Sequence, residues 1–123
     1  MQLTPHFTSE EFDCKCGRCN VSGMMMMGVF TGKLERARQA AELPFIINCG
    51  MRCRTHNEEL TDSVDGSAHL EGYAADIACR SSRERFKIHK ALLDAGFTRI
   101  GVGNTFIHVD CDPSKPPEVE WLY

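Results

Sequence analysis

The sequence predicts an α+β domain, a small antiparallel sheet with flanking helices. Three observations predict it: two stretches with helical apolar spacing, four short β-like runs, and a length of 123 residues, which suits one core and leaves too little chain for a second. Residues 1–123 are therefore read as one domain.

The opening segment, residues 1–20, is polar. Phe7 and Phe12 are expected to tuck beneath the domain, and Thr8 stands three residues before Glu11 as in a capping box. A long helix is predicted over residues 24–43, because Phe30, Leu34, Ala37 and Ala41 form one apolar stripe and Pro44 cannot continue the backbone ladder. Residues 45–47 read as a short buried strand. Between Cys49 and Ser67, Gly, Asn, Asp, Arg and Thr mix without a period, which predicts a substrate-lining loop with one helical turn near residues 55–60.

Residues 73–79 read as a strand. The spacing of Ser81 and Glu84 starts a second helix, which carries Phe86, Leu92 and Leu93 until Gly96 caps it. Residues 99–102 and 105–111 complete the sheet as a hairpin, with Gly103 and Asn104 expected to supply positive φ. The tail, with Pro113, Pro116 and Pro117, reads as irregular, with Trp121 packing back on the body.

Composition excludes several function classes. Hydrophobic residues at 42% and charged residues at 25% exclude a disordered or fibrous chain. A net charge of -3 offers no phosphate-binding footprint, so no nucleic acid is expected as partner. The apolar run at residues 24–30 is broken by Gly28 and falls short of the roughly 20 residues that span a bilayer, so no membrane insertion is expected. Residues 1–10 lack a basic segment followed by an apolar run, which predicts cytoplasmic synthesis without a signal peptide. The expected state is a monomer.

Seven cysteines would suggest disulfides in a secreted chain, but the odd count and the missing signal favour reduced thiols. Cys14, Cys16 and Cys19 form a C-x-C-x-x-C cluster. It would supply three thiolates to a second, structural zinc if Cys53, Cys111 or His6 came near; a disulfide and free thiols are the alternatives. The four methionines at 24–27 read as helix filler, His89 as part of a solvated face, and His56 as a groove residue outside any metal set.

His69, Asp76 and His108 stand at the ends of, or inside, predicted strands, where alternation sets side-chain direction. Two His and one carboxylate make the donor set of a catalytic zinc that keeps a fourth position for water. A lone His in a small domain is usually a hydrogen-bonded or surface residue. Here Gly66, Ala68, Gly72, Ala74 and Ala75 surround the candidates and permit close backbone approach.

The run Ser67-Ala68-His69-Leu70-Glu71-Gly72-Tyr73-Ala74-Ala75-Asp76-Ile77 resembles the S-x-H-x-x-G-x-A-x-D-[IVL] signature of the D-Ala-D-Ala carboxypeptidase-like zinc peptidases, a group that also includes the hedgehog fold. Ile107-His108-Val109-Asp110 is similar to its final strand. The segment from Cys49 to Asn57 resembles its S-G-[YF]-R-[ST]-x-x-x-N stretch, with Cys49 in place of Ser, and the segment from Pro5 to Phe12 resembles its opening.

The resemblance implies a hedgehog/DD-peptidase-like fold with a single zinc cleft, and hydrolysis of an amide bond in peptidoglycan stem or cross-link peptides, by a carboxypeptidase or a phage endolysin acting on the wall after release. It implies His69, Asp76 and His108 as zinc ligands and Arg52 as an anchor for a substrate carboxylate or carbonyl, a role that suits the planar guanidinium. Ser67 would orient a ligand or donate to substrate.

Many relatives carry a Glu or Asp three residues before the last His. Here Thr105 stands there, with Val102 three residues further back. Asp110 is the expected general base, since residues i and i+2 of a strand share a face and would both look towards the metal. The alternative for Asp110 is a carboxylate that accepts a hydrogen bond from a ligand imidazole. Glu71 and Glu118 are further candidates. The rival functions are a zinc-containing peptidoglycan- or partner-binding module without catalysis, and a phage structural component.

Overall fold

The computed structural model describes residues 1–59 and 66–123. The opening segment is a small hairpin, β1 (Gln2–Thr4) against β2 (Phe7–Thr8), followed by a 3-10 turn at Ser9–Phe12. The backbone N–H of Thr8 donates to the Glu11 carboxylate at 2.8 Å, as the capping-box spacing predicts. Phe7 and Phe12 are fully buried beneath the body.

The long helix is shorter than its periodicity suggests. A 3-10 turn covers Gly23–Met25, and α1 runs Gly28–Ala41. The chain cannot enter the helix at residue 24 because Gly23 lies hard against the opening turn, where a Cβ would meet the Ser9 carbonyl oxygen at 1.8 Å. Met27 then donates its backbone N–H to the Gly72 carbonyl at 2.9 Å. Of the four methionines only Met26 is buried, and they precede the helix instead of filling it. At the other end the chain reverses at Glu42, φ 56°, before Pro44 is reached.

After α1 come β3 (Ile47–Cys49), α2 (Arg54–Glu59), a 3-10 turn at Ala68–Leu70, β4 (Ala74–Ala78), α3 (Ser82–Asp94), β5 (Arg99–Val102), β6 (Phe106–Asp110) and β7 (Val119–Leu122). The third strand lies two residues later than its apolar run at 45–47. Backbone pairing with β4 holds Cys49 opposite Asp76 whatever its hydropathy, with Asn48 at an irregularity between the paired Ile47 and Cys49. The helical turn near residues 55–60 forms as α2; Leu60, like the middle of the expected substrate-lining loop, lies outside the described residues.

Helix α3 begins at the Ser81 cap, whose Oγ accepts from the Glu84 N–H at 3.1 Å. It ends with Gly96 at φ +95°, donating to Leu93, while Phe97 donates to Leu92. Its buried face is Ile88, Ala91 and Leu92, whereas Phe86 is 68% and Leu93 52% exposed, a correction to the apolar set read from sequence. At the β5–β6 hairpin neither Gly103 nor Asn104 has positive φ. Gly103 is needed for space instead, since a Cβ there would meet the Phe106 ring at 2.4 Å.

The five larger strands form one mixed sheet in the order β3-β4-β6-β5-β7. The sheet was expected to be antiparallel; β7 runs parallel to β5, so the tail that reads as irregular ends in a strand. The prolines explain why it is hidden, because residues 113–117 look like a terminus and only tertiary pairing shows that the chain returns. Ala75, Ile77, Ile100, Ile107 and Val109 join Phe30, Leu34, Ile88, Leu92 and Phe97 in one core. That core lies where α1 packs on α3 and α3 packs on β6. None of the described helices is long and apolar enough to cross a membrane.

Candidate metal centre

One rung of the sheet carries the candidate site. In register across the five strands stand Cys49, Asp76, His108, Gly101 and Trp121. Directly paired residues point to the same face, so the rung sends a thiol, a carboxylate, an imidazole and an indole to one side. Gly101 makes this possible. A Cβ there would lie 2.5 Å from the Trp121 Nε1, and its absence lets the indole reach over to His108 with ring centroids 5.5 Å apart.

His69 arrives from the 3-10 turn before β4. Ser67 caps that turn, its Oγ accepting from the His69 N–H at 3.3 Å. Ser67 thus caps the turn that carries His69, two residues on. Gly72, φ +82°, closes the turn against the Met25 carbonyl, which a Cβ would meet at 2.6 Å. The glycine of the sequence signature is thus a matter of space and backbone conformation.

The imidazole tautomers follow from their partners. His69 Nδ1 donates to the Gly50 carbonyl at 2.7 Å, which leaves a lone pair on Nε2. That Nε2 is buried without a hydrogen-bond partner, 3.4 Å from Asp76 Oδ1. His108 Nε2 lies 2.7 Å from Asp110 Oδ2; a carboxylate only accepts, so in a neutral ring that donates to Asp110 the lone pair is on Nδ1. Nδ1 faces the same Asp76 Oδ1 at 3.0 Å. Two imidazole nitrogens thus face one carboxylate oxygen, an arrangement that protons or a metal ion would satisfy.

The electrostatics of the group point the same way. Burial acts to lower His69, yet the nearby Asp76 carboxylate and Cys49 thiol carry it up to about 9, which favours positive charge at Nε2. Burial acts to raise Asp76, yet His108 and His69 hold it well below the usual carboxylate range. Cys49, His69 and Asp76 have ligand atoms that all lie within 4.8 Å of one another, a donor set that zinc fits, and His108 stands beside them with Nδ1 3.0 Å from Asp76 Oδ1.

Asp110 is placed differently from its sequence expectation. It shares a face with His108, but it contacts the ring nitrogen that points away from Asp76. Its Oδ1 accepts from Arg99 Nε at 2.7 Å, and it is 2% exposed. Arg99 in turn stacks over Trp121, 5.4 Å from the ring centroid. Arg52 lines the cluster: Nη2 lies 3.6 Å from Asp76 Oδ2, Nη1 donates to Asn57 Oδ1 at 2.9 Å, Nε donates to Cys49 Sγ at 3.3 Å, and its side chain is 11% exposed. Thr105, Glu71 and Glu118 are all exposed.

Three neighbours escaped the sequence reading. Cys49 has donor atoms of His69 and Asp76 within 4.8 Å, and its thiol, which burial alone would raise, is drawn below its ordinary value by His69 and Arg52. The Ser-to-Cys departure in the signature was its only signal. Trp121 reaches the site through a parallel strand that no local pattern announces. Tyr123 packs beside Trp121, ring centroids 6.4 Å apart, and burial pushes its hydroxyl up.

A protein-family model described as Peptidase M15 matches residues 5–110, a span that includes every donor named above except Trp121 and Tyr123. No curated protein matches the sequence.

Proposed function

The chain belongs to the peptidase M15 family of zinc D-Ala-D-Ala carboxypeptidase-like metallopeptidases, and from that premise we propose that it hydrolyses an amide bond in peptidoglycan stem or cross-link peptides, acting on the cell wall. The observation that carries the proposal is that His69 Nε2 and His108 Nδ1 both face Asp76 Oδ1, at 3.4 and 3.0 Å. Those three residues would hold the zinc. When bound, zinc polarises the scissile carbonyl and makes water a better nucleophile near neutral pH.

The chain supplies the rest. Gly50 and Ser67 lock the His69 ring and its turn. The Arg99–Asp110 pair locks the His108 ring, so neither ligand must reorganise during the reaction. Arg52 neutralises the second oxygen of Asp76 and retains N–H groups to hold a peptide carbonyl or carboxylate. Trp121 walls the rung on the β7 side, keeping water from the ligand imidazole.

One observation favours a second reading, a zinc-containing module that binds peptidoglycan without cutting it. Both oxygens of Asp110 are engaged, by His108 and Arg99, and the position where relatives carry an acid is the exposed Thr105. Incubation of the zinc-loaded protein with purified peptidoglycan separates the two. New amino groups, absent with His69→Ala, are expected; binding to the wall with no amino groups released would overturn hydrolysis. Mass spectrometry of the released fragments then tells a D-Ala terminus from a cut cross-link.

A further inference from the structure

Away from that rung, four cysteines with no part in it come together. Cys14, Cys16 and Cys19 lie on the turns before α1 and Cys53 on the loop just before α2, and their sulfurs all lie within 4.8 Å of one another. All four are free thiols. Cys16 Sγ is 3.4 Å from Cys19 Sγ and 3.8 Å from Cys53 Sγ. A disulfide brings two sulfurs to about 2.05 Å, whereas four thiolates at about 2.3 Å from a tetrahedral ion stand about 3.8 Å apart. The observed spacing is that of ligands around an ion.

The backbone is arranged for thiolates. Each sulfur accepts a different N–H: Cys14 from Cys53 at 3.3 Å, Cys16 from Arg18 at 3.3 Å, Cys19 from Val21 at 3.5 Å and Cys53 from His56 at 3.3 Å. Gly17, φ +72°, turns the chain between Cys16 and Cys19 so that both face inwards. Aligned N–H dipoles favour the ionised sulfur, and four such charges at this range need a cation among them. Of the partners the sequence offers, the structure brings in Cys53. His6 is committed to Glu35 at 2.6 Å, and Cys111 lies outside the group.

We propose that Cys14, Cys16, Cys19 and Cys53 hold a structural zinc ion, distinct from the one in the cleft. Soft thiolates in a tetrahedral S4 set select zinc among the common divalent ions. The ion clasps the opening segment to the loop between β3 and α2, across 39 residues of chain. That loop carries Gly50, which orients His69, and Arg52. A second tie runs beside it, the Met51 N–H donating to the Phe12 carbonyl at 2.8 Å.

The assignment does not rest on the peptidase reading and is tested without activity. Elemental analysis of the full chain is expected to give two zinc ions in the wild type and one in His69→Ala. Cobalt substituted into His69→Ala is expected to show the intense thiolate-to-cobalt charge-transfer band of an S4 site. Cys16→Ser and Cys53→Ser are expected to lower the wild-type count to one, while Cys79→Ser and Cys111→Ser keep two. A His69→Ala chain that holds no metal, or holds iron, overturns the proposal, as does peptide mapping that finds any of the four cysteines joined in disulfides. Should the cysteine variants fail to fold, the metal count and cobalt spectrum of His69→Ala decide alone.

Discussion

The rung of the sheet and the clasp of cysteines both gather electron-rich groups around one point, but on different scaffolds. Asp76 and His108 sit on neighbouring central strands whose register holds them opposite one another, and His69 is pinned by the Gly50 carbonyl. The four cysteines lie outside every strand and helix, on turns and a loop, and none of them is fully buried. A sheet rung keeps its geometry without an ion, because the ladder and the core behind it have already met the entropy of ordering. Turns have no such backing, so an ion there stands in for missing core. The difference teaches that an ion at the rung would serve chemistry and an ion at the clasp would serve folding.

The sharpest break of that contrast lies in two single substitutions compared side by side. His69→Ala should lower amide hydrolysis by about 10³-fold or more, since a metal contributes several kcal/mol of charge stabilisation in the transition state. Cys53→Ser should destabilise the fold by about 3–5 kcal/mol, the scale of removing a cross-link over a long loop. Urea denaturation of both variants provides the check. If His69→Ala is the less stable of the two, the division of labour is inverted.

A smaller effect is expected at Asp110. Asp110→Asn should weaken zinc binding about 10–100-fold by loosening the His108 ring, read by competition with a chromophoric chelator. Saturating zinc should restore the rate. A rate that stays low with the site full would return Asp110 to the proton-transfer role its strand position suggests.

Glu35 provides a reference cluster complete without any ion. Its carboxylate accepts from Thr4 Oγ1 at 2.6 Å, from the His6 N–H at 2.8 Å and from Gln39 Nε2 at 2.9 Å. Burial works to raise it, but these partners lower it from 4.5 to about 2. Because the folded value is depressed, the stabilisation is present in full above pH 4.5 and is lost as pH falls towards about 2. Glu35→Gln should cost about 1–2 kcal/mol at neutral pH and flatten the acid limb of the stability profile between those values. Chelators should leave this contribution untouched, in contrast to the clasp.

The fold was legible where local chemistry specifies local structure. The capping spacings Thr8–Glu11 and Ser81–Glu84 mark real starts, and the strand around Asp76 stands where its alternation puts it. It was illegible where distant packing overrides periodicity, as where Gly23 against Ser9 delays α1 to Gly28. Within the site, His69 and His108 both face Asp76, while Cys49 completes the close group with His69 and Asp76. The pairing of Asp110 with the far nitrogen of His108 is a matter of side-chain geometry that strand alternation, which only assigns faces, does not contain.

By itself the sequence determined the residue types that chemistry needs: two imidazoles and a carboxylate, on two strands and the turn before one of them, and a run of closely spaced cysteines. Local spacing encodes them because neighbours along the chain cannot drift apart. Only the tertiary structure chose their companions. Cys53 joins Cys14, Cys16 and Cys19 from 34 or more positions away, and Trp121 reaches His108 because β7 adds in parallel beside β5. Such partners are selected by how sheet and loops pack around the core, a balance of the whole chain that no short segment carries.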